Sequence, residues 1–467
     1  MSEDDLPEPS RSPGEDSGSQ GAPAPEAGAD PAPEAGAQEN AGSPVGRGLS
    51  RRGMLALLGG GVAGASIGVA GTAAVVAATG SSGEPGAGLS YPFAGAHQAG
   101  IVTPEQEHLH FAAFDIREGL GRDDLIELLQ DWSYAASRIT QGLDVSARGA
   151  FDGGPYLPPD DTGEATGIAP AGLTVTIGFG RSLFSTDAGE DRFGLAAQLP
   201  EHFTELPKMI NDFIDRGRSA GDLCIQACAN DPKVAVHAIR NLTRIAFGRA
   251  QLRWSQLGYG RTSSTSTSQD TPRNLFGQKD GTANIRAEEP DRLEEHVWIG
   301  ESQGPDWAVN GTYLIARRIS MTIEVWDGVQ LGEQERVTGR DKRDGAPLSG
   351  GGEFDEPDFA ATDASGALLI DERSHVARVH PSNNDGIRML RRGYNFTDGN
   401  DDQGRLDAGL FFIAFVNAPE RFSVVHKNMA RDDLFIEYLK TTASSVFLIP
   451  PGVSEGGYVG QQLFEAG

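Results

Sequence analysis

Between residues 108 and 249 two hydrophobic periodicities alternate in a set order. His108–Ile116 (HLHFAAFDI) follows the two-residue repeat of a strand. Residues 122–139 (RDDLIELLQDWSYAASRI) place apolar side chains three and four apart behind an acidic first turn, which predicts a helix. Leu173–Phe179 (LTVTIGF) and the segment GDLCIQACAN return to strand spacing. Residues 232–249 (PKVAVHAIRNLTRIAFGR) predict a second helix with proline at its first position. Strand, helix, strand, strand, helix is the order of a ferredoxin-like α+β unit.

The theme recurs downstream. Asn310–Met321 and Leu410–Val416 read as strands, Met429–Leu439 as a helix and Ser444–Pro450 as a closing strand. The expected fold class is α+β, with two ferredoxin-like domains of the dimeric α+β barrel type. Two such units facing each other leave a natural cleft for a cofactor. Domain boundaries are expected at 96–285 for the N-terminal unit and 286–467 for the C-terminal one.

The chain ahead of them has another character. Residues 1–49 are rich in Pro, Ala, Gly and acids, and PAPEAGA occurs at 23–29 and again at 31–37. Such an arm cannot bury enough apolar surface to offset the entropy of ordering it. Residues 50–80 open with Ser50-Arg51-Arg52-Gly53-Met54-Leu55 and continue as an uncharged Gly/Ala/Val/Leu run. This resembles a twin-arginine export signal. A membrane anchor is the competing reading, since the run is long enough to span a bilayer. Its glycines and alanines make it only weakly apolar, which favours a cleaved signal and an extracytoplasmic destination (periplasm, cell surface or medium). Residues 81–95 form a Gly/Ser/Pro linker.

A net charge of -27 repels phosphates, and no basic block offsets it, so nucleic acid is excluded as a partner. Cys224 and Cys228 are the two cysteines. Strand spacing sets them on one face roughly 13 Å apart, too far for a disulfide. They read as small buried hydrophobes.

Two segments carry candidate chemistry. In Asn274–Ile285 (NLFGQKDGTANI), Gly277 and Gly281 flank Asp280 in what is, by composition, a tight turn. Residues 374–396 (SHVARVHPSNNDGIRMLRRGYNF) hold His375 in an apolar-alternating stretch, His380 before a proline, and Arg391-Arg392. Each group taken alone has an ordinary structural explanation.

Together they resemble the dye-decolorizing (DyP-type) haem peroxidase family. Its GxxDG loop is matched by Gly277–Gly281, its histidine motif by His375-Val376-Ala377-Arg378-Val379-His380-Pro381, and its [IML]-[LI]-R-x-G by Met389–Gly393. The likeness runs from about residue 95 to the end. The exported context is similar to the deferrochelatase/peroxidase branch. The resemblance implies haem b in the C-terminal half, with His375 as the proximal iron ligand; Pro381 sets the register that prefers it over His380. It also implies Asp280 and Arg391 as catalytic distal residues, and Leu410 and Phe412 as an apolar lid over that face. Arg317 is expected to contact a propionate, and Asp432 or Asp433 to orient the histidine.

Those residue types suit O–O cleavage. It needs an electron-rich axial ligand, a group that moves a proton between the peroxide oxygens, and a cation for the departing oxygen. An aspartate in the proton-moving role predicts activity favoured in acid. Implied partners are hydrogen peroxide, a bulky phenolic or dye-like donor or a porphyrin, an iron-uptake transporter, and a second copy of the chain. Trp298 and Tyr394 are expected as surface stations for electron transfer to large donors. Two alternatives stand beside the peroxidase: haem-dependent iron handling, and an exported binding protein without catalysis.

Overall fold

The computed structural model describes residues 88–465. The arm at 1–49, the expected signal at 50–80 and residues 81–87 of the linker lie outside them. Among the described residues no helix is long and apolar enough to cross a membrane.

The N-terminal half runs β1 (His108–Ile116), α1 (Arg122–Ile139), β2 (Thr174–Gly180), β3 (Leu223–Ala229), α2 (Pro232–Ile245) and β4 (Ala250–Arg261). Three short helices and a strand follow: α3 (Pro290–His296), β5 (Thr312–Met321), α4 (Ile323–Asp327) and α5 (Leu331–Thr338). The chain then forms α6 (His375–Val379), β6 (Leu390–Arg391), β7 (Tyr394–Asn400), β8 (Leu406–Val416), α7 (Pro419–Asp432), β9 (Leu439–Ile449) and α8 (Gln461–Glu465).

The strands pair in the order β4-β1-β3-β2 in the first half and β9-β5-β8-β7 in the second. Counted within each half, with the two-residue β6 left aside, both orders are fourth, first, third, second, the ferredoxin-like arrangement. The halves join edge to edge. Phe179 faces Leu448 across one seam and Tyr259 faces Asn395 across the other, so the sheet closes into an antiparallel barrel. Closure leaves neither half with a free sheet edge at these seams.

Strand alternation then sorts side chains to two cores. Phe111 and Ala113 of β1, Cys224 and Cys228 of β3, and Phe411, Ile413 and Phe415 of β8 fill the barrel interior. Ala112 and Phe114 of β1, and Leu223, Ile225 and Ala227 of β3, point outward to meet Leu128 and Trp132 of α1 and Leu242 of α2. Each fully buried large apolar side chain contributes roughly 1.5–3 kcal/mol. The outward face of β5 and β8 differs, because between it and α7 a cavity opens.

The chain departs from sequence expectation in several places. The helix expected over Met429–Leu439 instead starts at Pro419, which suits a first turn, and ends at Asp432. Asp433 stops it: its Oδ1 accepts from the Phe435 N–H (2.9 Å) and begins a separate 3-10 turn, Leu434–Tyr438. The helix expected to reach residue 249 ends at Ile245, and Gly248 turns the chain with φ +88°. His375 opens a short helix because the Ser374 side chain caps it. Trp298 and Tyr394 are not surface residues. Trp298 stacks on His97 (centroids 3.8 Å apart), and Tyr394 projects into the barrel as β7 begins.

Candidate active site

The cavity encloses about 280 Å³, and His375, Asp280, Arg391, Leu410, Phe412 and Arg317 all line it. Four structural units deliver them: the outward face of β5 and β8, the α6–α7 pair, the loop between β4 and α3, and the two-residue β6 that carries Arg391.

On one side stands His375. Its Nδ1 lies 2.8 Å from Asp433 Oδ2, and Asp433 is buried. A carboxylate accepts only, so the imidazole N–H at Nδ1 donates to it and the Nε2 lone pair is left free. Among the described residues nothing bonds Nε2. The Phe435 ring braces the imidazole, centroids 4.9 Å apart. Asp432, the other candidate acceptor, pairs with Arg378 at 2.6 Å instead. His380 also lines the cavity, but both its nitrogens are engaged: Nε2 lies 2.9 Å from Glu356 and Nδ1 2.8 Å from Ser382 Oγ.

Asp280 and Arg391 meet within the same cavity. Arg391 Nη1 donates to Asp280 Oδ1 at 3.0 Å, and Asn274 Nδ2 donates to Asp280 Oδ2 at 3.2 Å. The turn that presents Asp280 needs its glycines. Gly277 and Gly281 sit at φ +75° and +90°, and a Cβ on Gly281 would lie 2.7 Å from the Ser263 Cα. Asn284, buried in the same loop, reaches both backbone groups of Arg391.

Ile319, Met321, Leu410, Phe412, Val425, Met429 and Phe435 make the remaining walls largely apolar. At the buried end Arg317 pairs with Asp212 and donates to Ser444 Oγ at 3.1 Å; burial pulls its pKa down. His426 lies beside it, pushed down to about 4 by burial and by the Arg317 charge. Arg340 and Arg388 line the cavity as well. Arg340 donates to the carbonyls of Gly345 and Glu353 (2.7 and 2.9 Å), and Arg388 forms no ion pair among the described residues.

This donor set fits a haem. A carboxylate-oriented histidine has a free nitrogen, apolar walls follow, an acid and a guanidinium stand together, and further cations are at hand. Sequence reasoning missed Asn284 and Asn274, whose residue types in a loop look like any turn asparagine. It also missed Ile210 and Asn211, which the N-terminal half contributes to the lining.

Comparison with known proteins matches residues 98–260 to the Dyp-type peroxidase N-terminal domain and residues 271–454 to the Dyp-type peroxidase C-terminal domain. A deferrochelatase of Escherichia coli is 33% identical over 376 residues, covering 80% of this chain and 86% of the relative. The oxyferrous complex of DtpA from Streptomyces lividans superposes with a TM-score of 0.73 at 38% identity, covering 81% of this chain and 98% of that one. A DyP-type peroxidase from Cellulomonas bogoriensis gives 0.70 at 35% identity, with the same coverage.

Proposed function

This chain belongs to the Dyp-type peroxidase family, and from that premise we propose that His375 would hold the iron of its haem b and that Asp280 and Arg391 act on hydrogen peroxide. The chain is a haem peroxidase, an oxidoreductase that takes hydrogen peroxide as its acceptor. Bound haem supplies the iron and the electrons that break the O–O bond.

The protein's own groups do the rest. Asp433 holds the N–H of His375, fixing the ring and making its other nitrogen a stronger donor. The Asp280 carboxylate takes a proton from one peroxide oxygen and returns it to the other. Arg391 offers a fixed guanidinium to the negative charge that develops as the bond breaks, and its contact with Asp280 keeps the two groups aimed together. Leu410 and Phe412 exclude water from that side, which strengthens each electrostatic contact. Arg317 is a cofactor contact whose charge Asp212 already matches, so Arg340 and Arg388 are better suited to the porphyrin carboxylates. One observation carries the reading: an Asp433-oriented histidine and an Arg391–Asp280 pair line a single apolar cavity.

The donors we propose are bulky phenolic or dye-like molecules. Export along the twin-arginine route, supported by Ser50–Leu55, places the enzyme outside the cytoplasm. The name of the deferrochelatase relatives fits the iron-handling alternative, and no feature of the cavity favours that alternative or a transporter partner over peroxidase chemistry. The test is an absorption spectrum of the purified protein before and after one equivalent of hydrogen peroxide. A haem band that shifts on addition supports the reading. Failure to bind haem after reconstitution with hemin overturns it. Turnover on ferrous iron or porphyrins that exceeds turnover on dyes would move the physiological role to iron handling.

A further inference from the structure

Arg391 occupies an unusual place for a residue that must hold a guanidinium steady. It ends β6, a strand of two residues that pairs with β8 alone, Leu390 facing Phe415 and Arg391 facing Ala414. A two-residue edge strand has little ladder to fix it, and edge strands carry unpaired peptide groups. The backbone N–H and C=O of Arg391 are nevertheless both satisfied, and largely by one side chain. The Arg391 N–H donates to Asn284 Oδ1 at 2.7 Å, and Asn284 Nδ2 donates to the Arg391 carbonyl at 2.8 Å. A side-chain amide has the donor and acceptor of a peptide group side by side, so Asn284 fills the place a neighbouring strand residue would take.

The same amide is itself anchored. Asn284 is 4% exposed, and its Nδ2 also donates to the Ser264 carbonyl at 3.1 Å. Ser263 adds a second bond to the Arg391 carbonyl at 2.9 Å. On the following residue, the buried Arg392 side chain runs the other way, to the Thr103 carbonyl (2.5 Å) and to Gln106. Asp280 lies four residues before Asn284 in one loop. That loop therefore grips the Arg391 backbone at one point and its guanidinium, through Asp280, at another.

We propose that Asn284 is a positioning residue: it substitutes for a missing strand and sets the separation and aim of the Arg391–Asp280 pair. The inference rests on the role given above to Arg391. It touches neither peroxide nor haem in this account and acts through the arginine alone. Asn284→Ala leaves His375 and Asp433 untouched, so haem is retained. The Arg391 backbone then frays, and a displacement of about 1 Å at a reacting group costs on the order of 100-fold.

The experiment is a double-mutant cycle on the haem-loaded protein, comparing parent, Asn284→Ala, Arg391→Leu and the double variant. Two quantities are read: the rate constant of the absorption change after hydrogen peroxide is added, and the equilibrium affinity of the ferric protein for cyanide, an anion that reports on the distal guanidinium without turnover. Asn284→Ala is expected to slow the first by about 10- to 100-fold and weaken the second. In the Arg391→Leu background the same change is expected to add less than about twofold, because the group it positions is gone. Equal fold-losses in both backgrounds would show that Asn284 acts independently of Arg391 and overturn the inference. Parental behaviour of Asn284→Ala beside a slow Arg391→Leu would overturn it alone. A parental rate in Arg391→Leu would instead overturn the underlying role of the arginine, and this inference with it. Should Asn284→Ala fail to fold, Asn284→Asp enters the same cycle, keeping the acceptor for the Arg391 N–H and losing the donor to its carbonyl.

Discussion

Two histidines five residues apart line one cavity, and their hydrogen bonds separate them. His375 spends one nitrogen on a buried carboxylate and keeps the other, whereas His380 has both engaged by Glu356 and Ser382. His375→Ala is therefore expected to abolish haem retention and His380→Ala to preserve it, as judged by the haem-to-protein absorbance ratio after reconstitution. The reverse pattern would transfer the ligand role to His380. Asp433→Asn keeps the size of the side chain and removes the charge. Loss of such an outer partner typically costs about 10- to 100-fold in metal affinity or activity, so haem should dissociate faster. Arg391→Leu should retain haem yet slow the reaction with peroxide by about 100- to 1000-fold, as for removal of other preorganised stabilising groups. Stopped-flow absorbance measures it, and an unchanged rate would remove Arg391 from the chemistry.

At the scale of elements, the turn that carries Asp280 is the most exacting piece of backbone. Gly281→Ala puts a Cβ where φ is +90° and against the Ser263 backbone. A residue forced into that region costs of order 1–3 kcal/mol, and the clash moves the loop that holds Asp280. The expected result is a lower melting temperature together with a slower peroxide reaction; a silent substitution would mean that the loop is slack. Elements of this kind were only partly legible in the sequence. Strands β1, β2, β3, β5 and β8 announced themselves because their alternation feeds two cores at once. Strand β4 did not, since Gln251, Leu252 and Arg253 are all exposed where its register shifts opposite Ala113 and Phe114, which breaks the alternation. The start of α7 was hidden by its composition, PERFSVVHKNMARD, in which a cavity-lining face replaces a packed one. Asp432 and Asp433 are adjacent carboxylates, and only the direction each takes as the helix ends tells them apart. Asn284 could not be read at all, because its partner lies 107 residues away.

Over the whole molecule, stability should depend on pH through a carboxyl that does not line the cavity. Glu105 is buried against Ser263, and burial pushes its pKa from an ordinary 4.5 up to about 8. Between those values the folded chain holds a proton that the unfolded chain has released, so raising the pH favours unfolding. The contribution is complete below about 4.5 and lost as pH passes about 8. Denaturant midpoints measured from pH 5 to 8.5 should fall with pH in the parent and fall less in Glu105→Gln. Matching slopes would show that Glu105 is ionised throughout.

The two halves share one strand order but not one filling. In the first, Trp132, Leu128 and Leu242 occupy the layer between helices and sheet with protein alone; in the second, the layer between α7 and the β5–β8 face is left partly hollow. The first half is thus packed by protein alone, and in the second the cavity is where the proposed haem would lie. Stripped of haem, the protein should loosen first along α7 and the 3-10 turn behind it, while α1 and α2 stay protected from hydrogen exchange. On the proposed reading haem would complete the core of its own half, and the helix that walls the cavity would be held in place by the group it helps to hold.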